Sequence, residues 1–421
     1  MCKPDPERGI VVTGLGVVSP IGIGAEAFWD SLAAGRSGAR IRDEFADTDL
    51  PLRFYAPVTG FEGKQWIKPR KAIKVMCEPI QYGCAAARMA AEQAGIVEGG
   101  VFNPDRIGTV FGSETFFSHP RNVADVFQAC NENGAYVHDR WGESAMREIE
   151  PLWMLKYLPN MSTSHVSIAV DARGPSNTIC QREVSGLLAL IEGMSLIRRG
   201  LCDAVVVGGT GSSTSLTVNL YHGMQLLCAP GEDPTRACRP FEKNRSGTIF
   251  GEGAGAIVLE SEEHALNRNA EIKCRIAGAS RSFCSDSGNK FSQAIAANLA
   301  ETMQSAQIDR SELGHFNSHG WGSPHFDQLE AVAINSVAGD VPTLGLKSYF
   351  GFLGAGSSIV ELLASILAIE NRNLPKTLNY EEPDPACPCN VRSENEAISK
   401  GTGIKLAYSL HGQITSVAIR A

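Results

Sequence analysis

The sequence predicts an α/β protein built from two similar halves. Short runs of apolar, β-branched residues alternate along the chain with longer segments of helical periodicity. The alternation occurs as two successive series with a boundary near Ser261, so we expect halves at residues 1–260 and 261–421. The length of 421 residues also exceeds the size at which one hydrophobic core usually stops growing. Strands that alternate with helices indicate largely parallel sheets.

In the first half, short apolar runs flanked by glycine predict the strands, at 10–15, 107–111, 204–208 and 253–260. A turn-rich stretch, 16–22, follows the first strand. Helices are predicted at 78–94 and 184–197, each followed by a glycine that suits a helix C-terminus. Residues 113–160 have more charge and less regular periodicity, which predicts an insertion of helices and loops covering a site or an interface.

The second half repeats this pattern without repeating the residues. Its predicted strands are 272–276, 344–346, 405–410 and 415–421, and its predicted helices are 291–307, 325–338 and 356–369.

Composition excludes several classes of protein. A net charge of -8 argues against a general nucleic-acid binder, which would carry a basic face. The apolar runs are far shorter than the about 20 residues of a membrane span, and the N-terminus has no apolar leader. We therefore predict a cytoplasmic protein that spans no membrane. The twelve cysteines are scattered, and the pair Cys387 and Cys389 fits a loop better than a zinc site, so no metal is predicted.

Several segments resemble the β-ketoacyl synthases, the condensing enzymes of fatty-acid and polyketide synthesis. The matching segments follow the family's order and are 12–16 with 19–22, 239–241 with 251–255, 317–320 with Asp327 and Glu330, Lys347-Ser348 with Gly351 and Val360-Glu361, and Pro375, Thr377 and Asn379. The resemblance implies a thiolase-like, five-layered α-β-α-β-α fold and a dimer with paired central sheets. It also implies no bound cofactor, and a tunnel for the phosphopantetheine arm of an acyl carrier protein.

The family's nucleophilic cysteine is replaced in this alignment by Glu183. The run 174–186 keeps the flanking Gly-Pro-Ser and Ser-Gly without a gap. A shifted alignment would make Cys180 the nucleophile, but it needs a three-residue slip between matched anchors, so Cys180 is read as a packed strand residue. The start of a helix favours negative charge by up to about 2 kcal/mol, so we expect Glu183 to be a carboxylate near the family's oxyanion hole. A carboxylate cannot hold an acyl group as a thioester.

The alignment also places Phe352 where the family has its second histidine. Synthases use two histidines to stabilise an enolate, and losing one such donor costs about 10²–10³ in rate. An anionic Glu183 would repel that enolate, which disfavours the decarboxylation performed by glutamine-bearing loading synthases, although a protonated Glu183 would imitate the glutamine.

Substitutions surround the predicted pocket. Trp321 and Ser323 lie in the segment that grips pantetheine in the family, and Trp321 either stacks on a ligand or, as we favour, narrows the path. Leu410 replaces a gating phenylalanine, and His411 is a new titratable group beside it.

The family residues that remain are His319, Lys347, Asp327, Glu330 and Glu361. The last four are expected to form a buried polar network that supports the loops. We expect His319 within reach of Glu183, where the two form either an acid–base pair or a stable ion pair.

Two hypotheses follow from these residues. In the first, the protein is an acyl-thioester enzyme that uses Glu183 with His319, helped by Lys347 and His411, on substrates delivered by acyl carrier protein, with ordinary condensation lost. Hydrolysis, proton abstraction and an unusual decarboxylation all fit this hypothesis. In the second, it is a binding subunit like the chain-length factors, which pairs with an active ketosynthase. A homodimer is expected in the first case and a heterodimer in the second. A true condensing synthase with rewired residues is the least favoured alternative.

Overall fold

The computed structural model describes residues 4–45, 47–96, 102–116, 123–222, 224, 226–229, 231 and 233–421. The strands are β1 Ile10–Ser19, β2 Gly22–Ile23, β3 Arg40–Ile41, β4 Phe54–Ala56, β5 Ile107–Gly112, β6 Asn131–Glu132, β7 Ala135–Tyr136, β8 Ser176–Ile179, β9 Ala204–Ser212, β10 Phe250–Ser261, β11 Cys274–Phe283, β12 His315–Asn317, β13 Thr343–Leu344, β14 Asn373–Leu374, β15 Glu396–Ala397, β16 Thr402–Tyr408 and β17 Gln413–Arg420. The helices are α1 Ala25–Ala33, α2 Gly63–Trp66, α3 Glu78–Gln93, α4 Ala124–Ala129, α5 Met146–Glu148, α6 Asn160–Ala169, α7 Ser185–Arg198, α8 Leu216–His222, α9 Glu262–Asn267, α10 Asn289–Ser305, α11 Pro324–Ala338, α12 Lys347–Phe350 and α13 Ser357–Glu370.

The main strands form two groups with the same internal arrangement. Their order is β8-β5-β9-β10-β1 in the first group and β13-β12-β16-β17-β11 in the second. In the first group, starting from β1, the first two pairings are antiparallel and the next two are parallel. From β11 outwards, the second group repeats that series. This shared pattern shows the two similar halves that the sequence predicts.

The two groups meet through a short antiparallel pairing of β1 with β11. Helices α7 and α13 pack against strands of both groups, α3 covers the outer side of the first group, and α10 covers that of the second. Outer helices, sheet, central helices, sheet and outer helices make a five-layered α-β-α-β-α fold, as the resemblance implies.

The prediction of largely parallel sheets is wrong, because the sheets are mixed. The longest strands, β1, β9, β10, β11, β16 and β17, pair antiparallel with one another. In the second half, β16 returns into β17 through a tight turn at residues 409–412, a connection that only antiparallel neighbours allow. The alternation of strands and helices did not reveal this turn.

The first strand is also longer than predicted, since β1 continues through the glycine-rich residues to Ser19. Its glycines allow close packing and do not form a turn. A Cβ atom at Gly14 would lie 2.0 Å from the carbonyl oxygen of Ala90, and one at Gly16 would lie 2.0 Å from that of Ala86. Both carbonyls belong to α3, so the glycines let this helix lie directly on the strand.

Most of the remaining predicted elements are confirmed with shifts of a few residues at their ends. Helices α3 and α7 are followed by Gly95 and Gly200, both in the left-handed conformation. The predicted strand at 272–276 begins later and runs to Phe283. Within 113–160, the described residues form α4, α5, the β6–β7 hairpin and short helical turns, and residues 117–122 lie outside the described part. The domain limits at 1–260 and 261–421 stay a prediction.

Candidate functional site

Glu183 lies at the start of the central helix α7. Residues Arg182–Val184 form a 3₁₀ turn that joins β8 to α7. The hydroxyl of Ser185 accepts a hydrogen bond of 2.8 Å from the backbone N–H of Gln181 and so closes the turn. The strand-to-helix turn that the sequence predicts is therefore present, and it holds Glu183 between the two sheets.

The side chain of Glu183 is completely buried, and neither carboxyl oxygen has a hydrogen-bond partner. Burial raises the pKa of Glu183, although the positive charges of Arg182, His411 and Lys347 oppose the rise. Burial therefore opposes the carboxylate form that the helix terminus favours, and the charge of Glu183 stays a prediction.

Arg182 belongs to the site and was missed in the sequence. Its backbone is left-handed, with φ of 46°, and its Nε lies 3.8 Å from Oε1 of Glu183. The guanidinium carbon lies 5.9 Å from the ring centroid of Phe352. The signal available in the sequence was an arginine directly before the substituted residue, in a position usually occupied by small side chains in such tight turns.

His319 follows β12 and is completely buried, and neither ring nitrogen has a hydrogen-bond partner. Burial, with the nearby charges of Lys347 and Lys405, holds the pKa of His319 well below its usual range. The ion pair with Glu183, one of the two expected arrangements, is not formed, because neither ring nitrogen of His319 and neither carboxyl oxygen of Glu183 has a hydrogen-bond partner.

Trp321 and Phe352 form an aromatic wall beside these groups. Their ring centroids lie 4.8 Å apart, and the Trp321 ring lies 4.7 Å from that of His319. Both aromatic residues are fully or almost fully buried. Trp321 thus fills space next to His319, and the narrowing of the pantetheine path stays a prediction.

Lys347 holds the loop that carries His319. Its Nζ donates 2.5 Å and 2.8 Å hydrogen bonds to the carbonyl oxygen of His319 and to Oε1 of Glu361. A second lysine, Lys405 on β16, pairs with Oε2 of Glu361 at 2.6 Å and donates to the carbonyl oxygen of Ser318. Burial lowers the pKa of Lys405 to about 8. Lys405 was missed because its position in an apolar strand gave no sign of this buried pair.

Glu330 and Asp327, both on α11, bind backbone N–H groups of the same loop. Glu330 accepts from His319 and Gly320, at 2.5 Å and 2.9 Å. Asp327 accepts from the backbone of Phe241, Gly322 and Ser323. The expected supporting network is therefore present as hydrogen bonds.

Ser323 caps α11, since its hydroxyl accepts from the backbone N–H of Phe326 at 3.4 Å. Tyr408, a further residue missed in the sequence, packs its ring 4.5 Å from that of His319 and donates to Glu330 at 3.1 Å.

Leu410 and His411 lie in the turn between β16 and β17. His411 is exposed, and both residues line a cavity of about 170 Å³ with Phe326 and Phe291. The structure thus places His411 near the outside of the site and Glu183 inside it.

Glu114, which follows β5, is a second buried carboxyl near Arg182 and Glu183. Its oxygens accept from the backbone N–H groups of Ser212 at 2.7 Å and Ala355 at 3.3 Å. Burial raises the pKa of Glu114 to about 7, although these hydrogen bonds and the charge of Arg182 oppose the rise. A Cβ atom at Gly354 would lie 2.3 Å from a Glu114 oxygen, so this glycine makes room for the carboxyl. The sequence reading overlooked Glu114 because it stands in the insertion.

The cysteines differ in part from expectation. Cys180 is exposed, so its reading as a packed residue is wrong: it comes after β8 has ended. Burial of its sulfur and the charge of Glu114 raise the pKa of Cys180, which does not favour a nucleophilic thiolate. Cys387 and Cys389 are buried free thiols. Among the described residues, no group of three or more metal-ligating side chains is close enough to hold an ion.

None of the described helices is both long and apolar enough to cross a bilayer.

The fold and this buried site between two duplicated halves define a thiolase-like condensing-enzyme architecture. Residues 7–265 match the model of the β-ketoacyl synthase N-terminal domain, and residues 274–381 match that of the C-terminal domain. The chain belongs to the β-ketoacyl synthase family.

Relatives with this architecture include both fatty-acid and polyketide proteins. The chain is 30% identical to 3-oxoacyl-[acyl-carrier-protein] synthase 2 of Coxiella burnetii, over 90% of each chain. It is 32% identical to the tetracenomycin polyketide synthase ketoacyl synthase alpha subunit of Streptomyces glaucescens, over 90% of this chain and 89% of the relative.

Solved structures agree with this assignment. A β-ketoacyl synthase from Burkholderia phymatum STM815 superposes with a TM-score of 0.87 at 25% identity, over 98% of this chain and 99% of the other. The ishigamide ketosynthase/chain length factor superposes with a TM-score of 0.85 at 27% identity and the same coverage. The chain is therefore a β-ketoacyl-synthase-like protein of fatty-acid or polyketide synthesis.

Proposed function

We propose that the protein decarboxylates a malonyl-type thioester carried by acyl carrier protein and does not condense it. Glu183 takes the place of the nucleophilic cysteine in this proposal, and its carboxyl acts in the neutral form. The phosphopantetheine arm of the carrier protein delivers the thioester, and no cofactor of the protein itself takes part.

The observation that carries the proposal is the set of buried, unpartnered polar atoms on Glu183, His319 and Trp321. A buried polar group without a partner costs about 1–3 kcal/mol. A subunit with a purely structural role would gain stability by replacing these side chains with apolar ones. Their presence therefore favours a site that a polar ligand completes.

Under this proposal Glu183 acts in its neutral form, which burial favours and which avoids the repulsion expected from a carboxylate. A neutral carboxyl has one O–H donor, as a glutamine amide has N–H donors, so Glu183 presents a donor to the thioester oxygen. His319 in its neutral form supplies one ring N–H to the same oxygen. These two donors stabilise the enolate charge in a region from which water is excluded.

The reaction balances with a proton from solvent. The bond between the α-carbon and the carboxylate breaks, carbon dioxide leaves, and the electron pair passes to the thioester as an enolate. Protonation of the α-carbon then gives the acetyl thioester. No covalent acyl intermediate on the protein is needed.

The test is turnover of malonyl-carrier protein by the purified chain, with the acetyl product measured by mass spectrometry. Glu183→Gln keeps a neutral donor and should retain activity, whereas Glu183→Ala should lose about 10²–10³ in rate. Cys180→Ala is the control for a shifted nucleophile and should behave like the unaltered protein. Absence of turnover would reject the proposed reaction, and an inactive Glu183→Gln variant would reject the donor role.

A second candidate function is that of a non-catalytic partner of an active ketosynthase. The complete burial of Glu183 behind Trp321 and Phe352 supports it, since a subunit that only shapes a partner's tunnel needs no open site. The structural likeness to a ketosynthase/chain length factor points the same way. Copurification with a cysteine-bearing ketosynthase, together with no turnover by the isolated chain, would favour this function; a stable active homodimer would reject it.

A further inference from the structure

Six buried polar atoms without a hydrogen-bond partner lie on four residues at and around Glu183. They are Nε of Arg182, both carboxyl oxygens of Glu183, both ring nitrogens of His319 and Nε1 of Trp321. Other such atoms among the described residues lie on side chains elsewhere, such as those of His165, His315 and Asn219. The rings of His319, Trp321 and Phe352 are in contact, and Arg182 lies over Phe352 and beside Glu183. The six atoms around Glu183 therefore belong to one contiguous region.

The atoms in this region are mainly donors. An arginine Nε–H and an indole N–H can only donate, a neutral imidazole has one N–H, and a protonated carboxyl has one O–H. A group rich in acceptor oxygens fits such a set, and an anion fits it best because Arg182 carries a permanent charge.

Arg182 is the residue of this set that a ligand from solvent meets first. Its side chain is 19% exposed, whereas that of Glu183 is 1% exposed. Two buried carboxyls lie near this arginine, and burial weakens both as counterions, since it raises the pKa of Glu183 and raises the pKa of Glu114 to about 7. The Arg182–Glu183 distance of 3.8 Å is also too long for a hydrogen bond.

We infer that Arg182 is the anion-binding residue of the site and holds the free carboxylate of a carboxyacyl thioester such as malonyl. The choice of a thioester rests on the proposed function. The guanidinium matches a carboxylate with two parallel N–H donors, and the Phe352 ring beside it limits its orientation.

The same charge assists after the carboxylate has left. Phe352 stands where the resemblance gives the second histidine, so one donor to the enolate is missing there. As carbon dioxide departs, the negative charge moves to the thioester oxygen, which remains close to the cation. Arg182 therefore selects carboxyacyl groups and partly replaces the missing histidine.

Binding of unreactive probes tests this inference on the full-length protein. The probes are malonyl- and acetyl-pantetheine in which an amide replaces the thioester, with affinity measured by titration calorimetry. The unaltered protein should bind the malonyl probe more tightly than the acetyl probe. Arg182→Gln should weaken malonyl binding about 10-fold to 100-fold and leave acetyl binding unchanged. Arg182→Lys should weaken malonyl binding less than Arg182→Gln does, because lysine keeps the positive charge but lacks the planar guanidinium.

Arg173→Gln is the matched control. Arg173 lies on the same segment of the chain but is exposed and pairs with Asp171, so its substitution should change neither affinity. The inference would be overturned if the unaltered protein bound the two probes equally well or bound neither. It would also be overturned if Arg182→Gln weakened the binding of both probes to the same extent. If the protein prefers the malonyl probe but does not turn over malonyl-carrier protein, only the proposed reaction is rejected. If the protein turns over malonyl-carrier protein and Arg182→Gln keeps the preference for the malonyl probe, only the role of Arg182 is rejected.

Discussion

The rings of Trp321 and Phe352 meet at a centroid distance of 4.8 Å, and His319 lies on the other side of Trp321. Trp321 lies in the segment that the resemblance assigns to pantetheine binding, and Phe352 lies at the position that it assigns to the second histidine. The two side chains thus form one aromatic wall. Substitution of either alone would leave a gap, since a large buried aromatic fills space that the surrounding structure only partly recovers. The packing of these two rings therefore couples the two positions.

Trp321→Ala tests whether this wall controls access. It should lower the free energy of unfolding by about 3–5 kcal/mol, because the truncation leaves a cavity. It should also tighten binding of acyl-pantetheine, since the cavity opens beside His319. Urea unfolding and calorimetry measure the two effects, and Trp29→Ala, on α1 and away from the site, is the control for a general loss of stability. Unchanged or weaker binding would show that the wall does not limit entry.

Restoring the cysteine alone should not restore condensation. Glu183→Cys supplies a thiol at the start of α7 but leaves Phe352 in place, so one enolate donor is still missing. We expect Glu183→Cys with Phe352→His to form condensation product about 10²–10³ faster than Glu183→Cys. Mass spectrometry of products from acyl- and malonyl-carrier proteins measures the difference. Equal rates in the two variants would contradict the role given to Phe352.

Glu114 should make the stability of the fold depend on pH. Its pKa is raised from 4.5 to about 7 in the folded protein. The folded state therefore keeps a proton that the unfolded chain releases, and stability falls as pH rises from 4.5 towards 7. The loss amounts to about 3 kcal/mol at most.

Glu114→Gln should flatten this decline, as measured by urea unfolding across the same pH range. Glu394→Gln, which removes an exposed carboxyl, serves as control and should keep the slope of the unaltered protein. A Glu114→Gln slope equal to that of the control would reject the raised pKa.

Glu361 should be essential to the fold, because it is the carboxylate between two buried lysines. Lys347 lies 2.8 Å and Lys405 2.6 Å from its oxygens, and all three side chains are fully buried. Glu361→Leu leaves two buried cations without their partner and should cost about 3–5 kcal/mol in urea unfolding. Arg173→Ala, which breaks the exposed pair with Asp171, should leave stability unchanged. A Glu361→Leu protein as stable as this control would show that the lysines find other partners or lose their protons.

The sequence by itself determined the family fold, its two similar halves, and the placement of Glu183 at the start of a central helix. These features follow from local patterns and from the order of the motifs. Glycines mark the ends of α3 and α7, apolar runs predict the strands, and the histidine and lysine segments occur in the family's order. The motifs also predicted supporting roles for Asp327, Glu330 and Glu361, and these residues accept hydrogen bonds from the His319 loop and from Lys347.

Only the tertiary structure decided that Glu183 is buried and which residues surround it. Burial raises the pKa of this carboxyl, and no local pattern states how much water reaches a given side chain. Glu114, Arg182 and Lys405 were missed for the same reason, because their roles depend on contacts with residues that are distant in the sequence. The antiparallel pairing of the long strands was also missed, because strand direction is fixed by connections that cross the whole molecule.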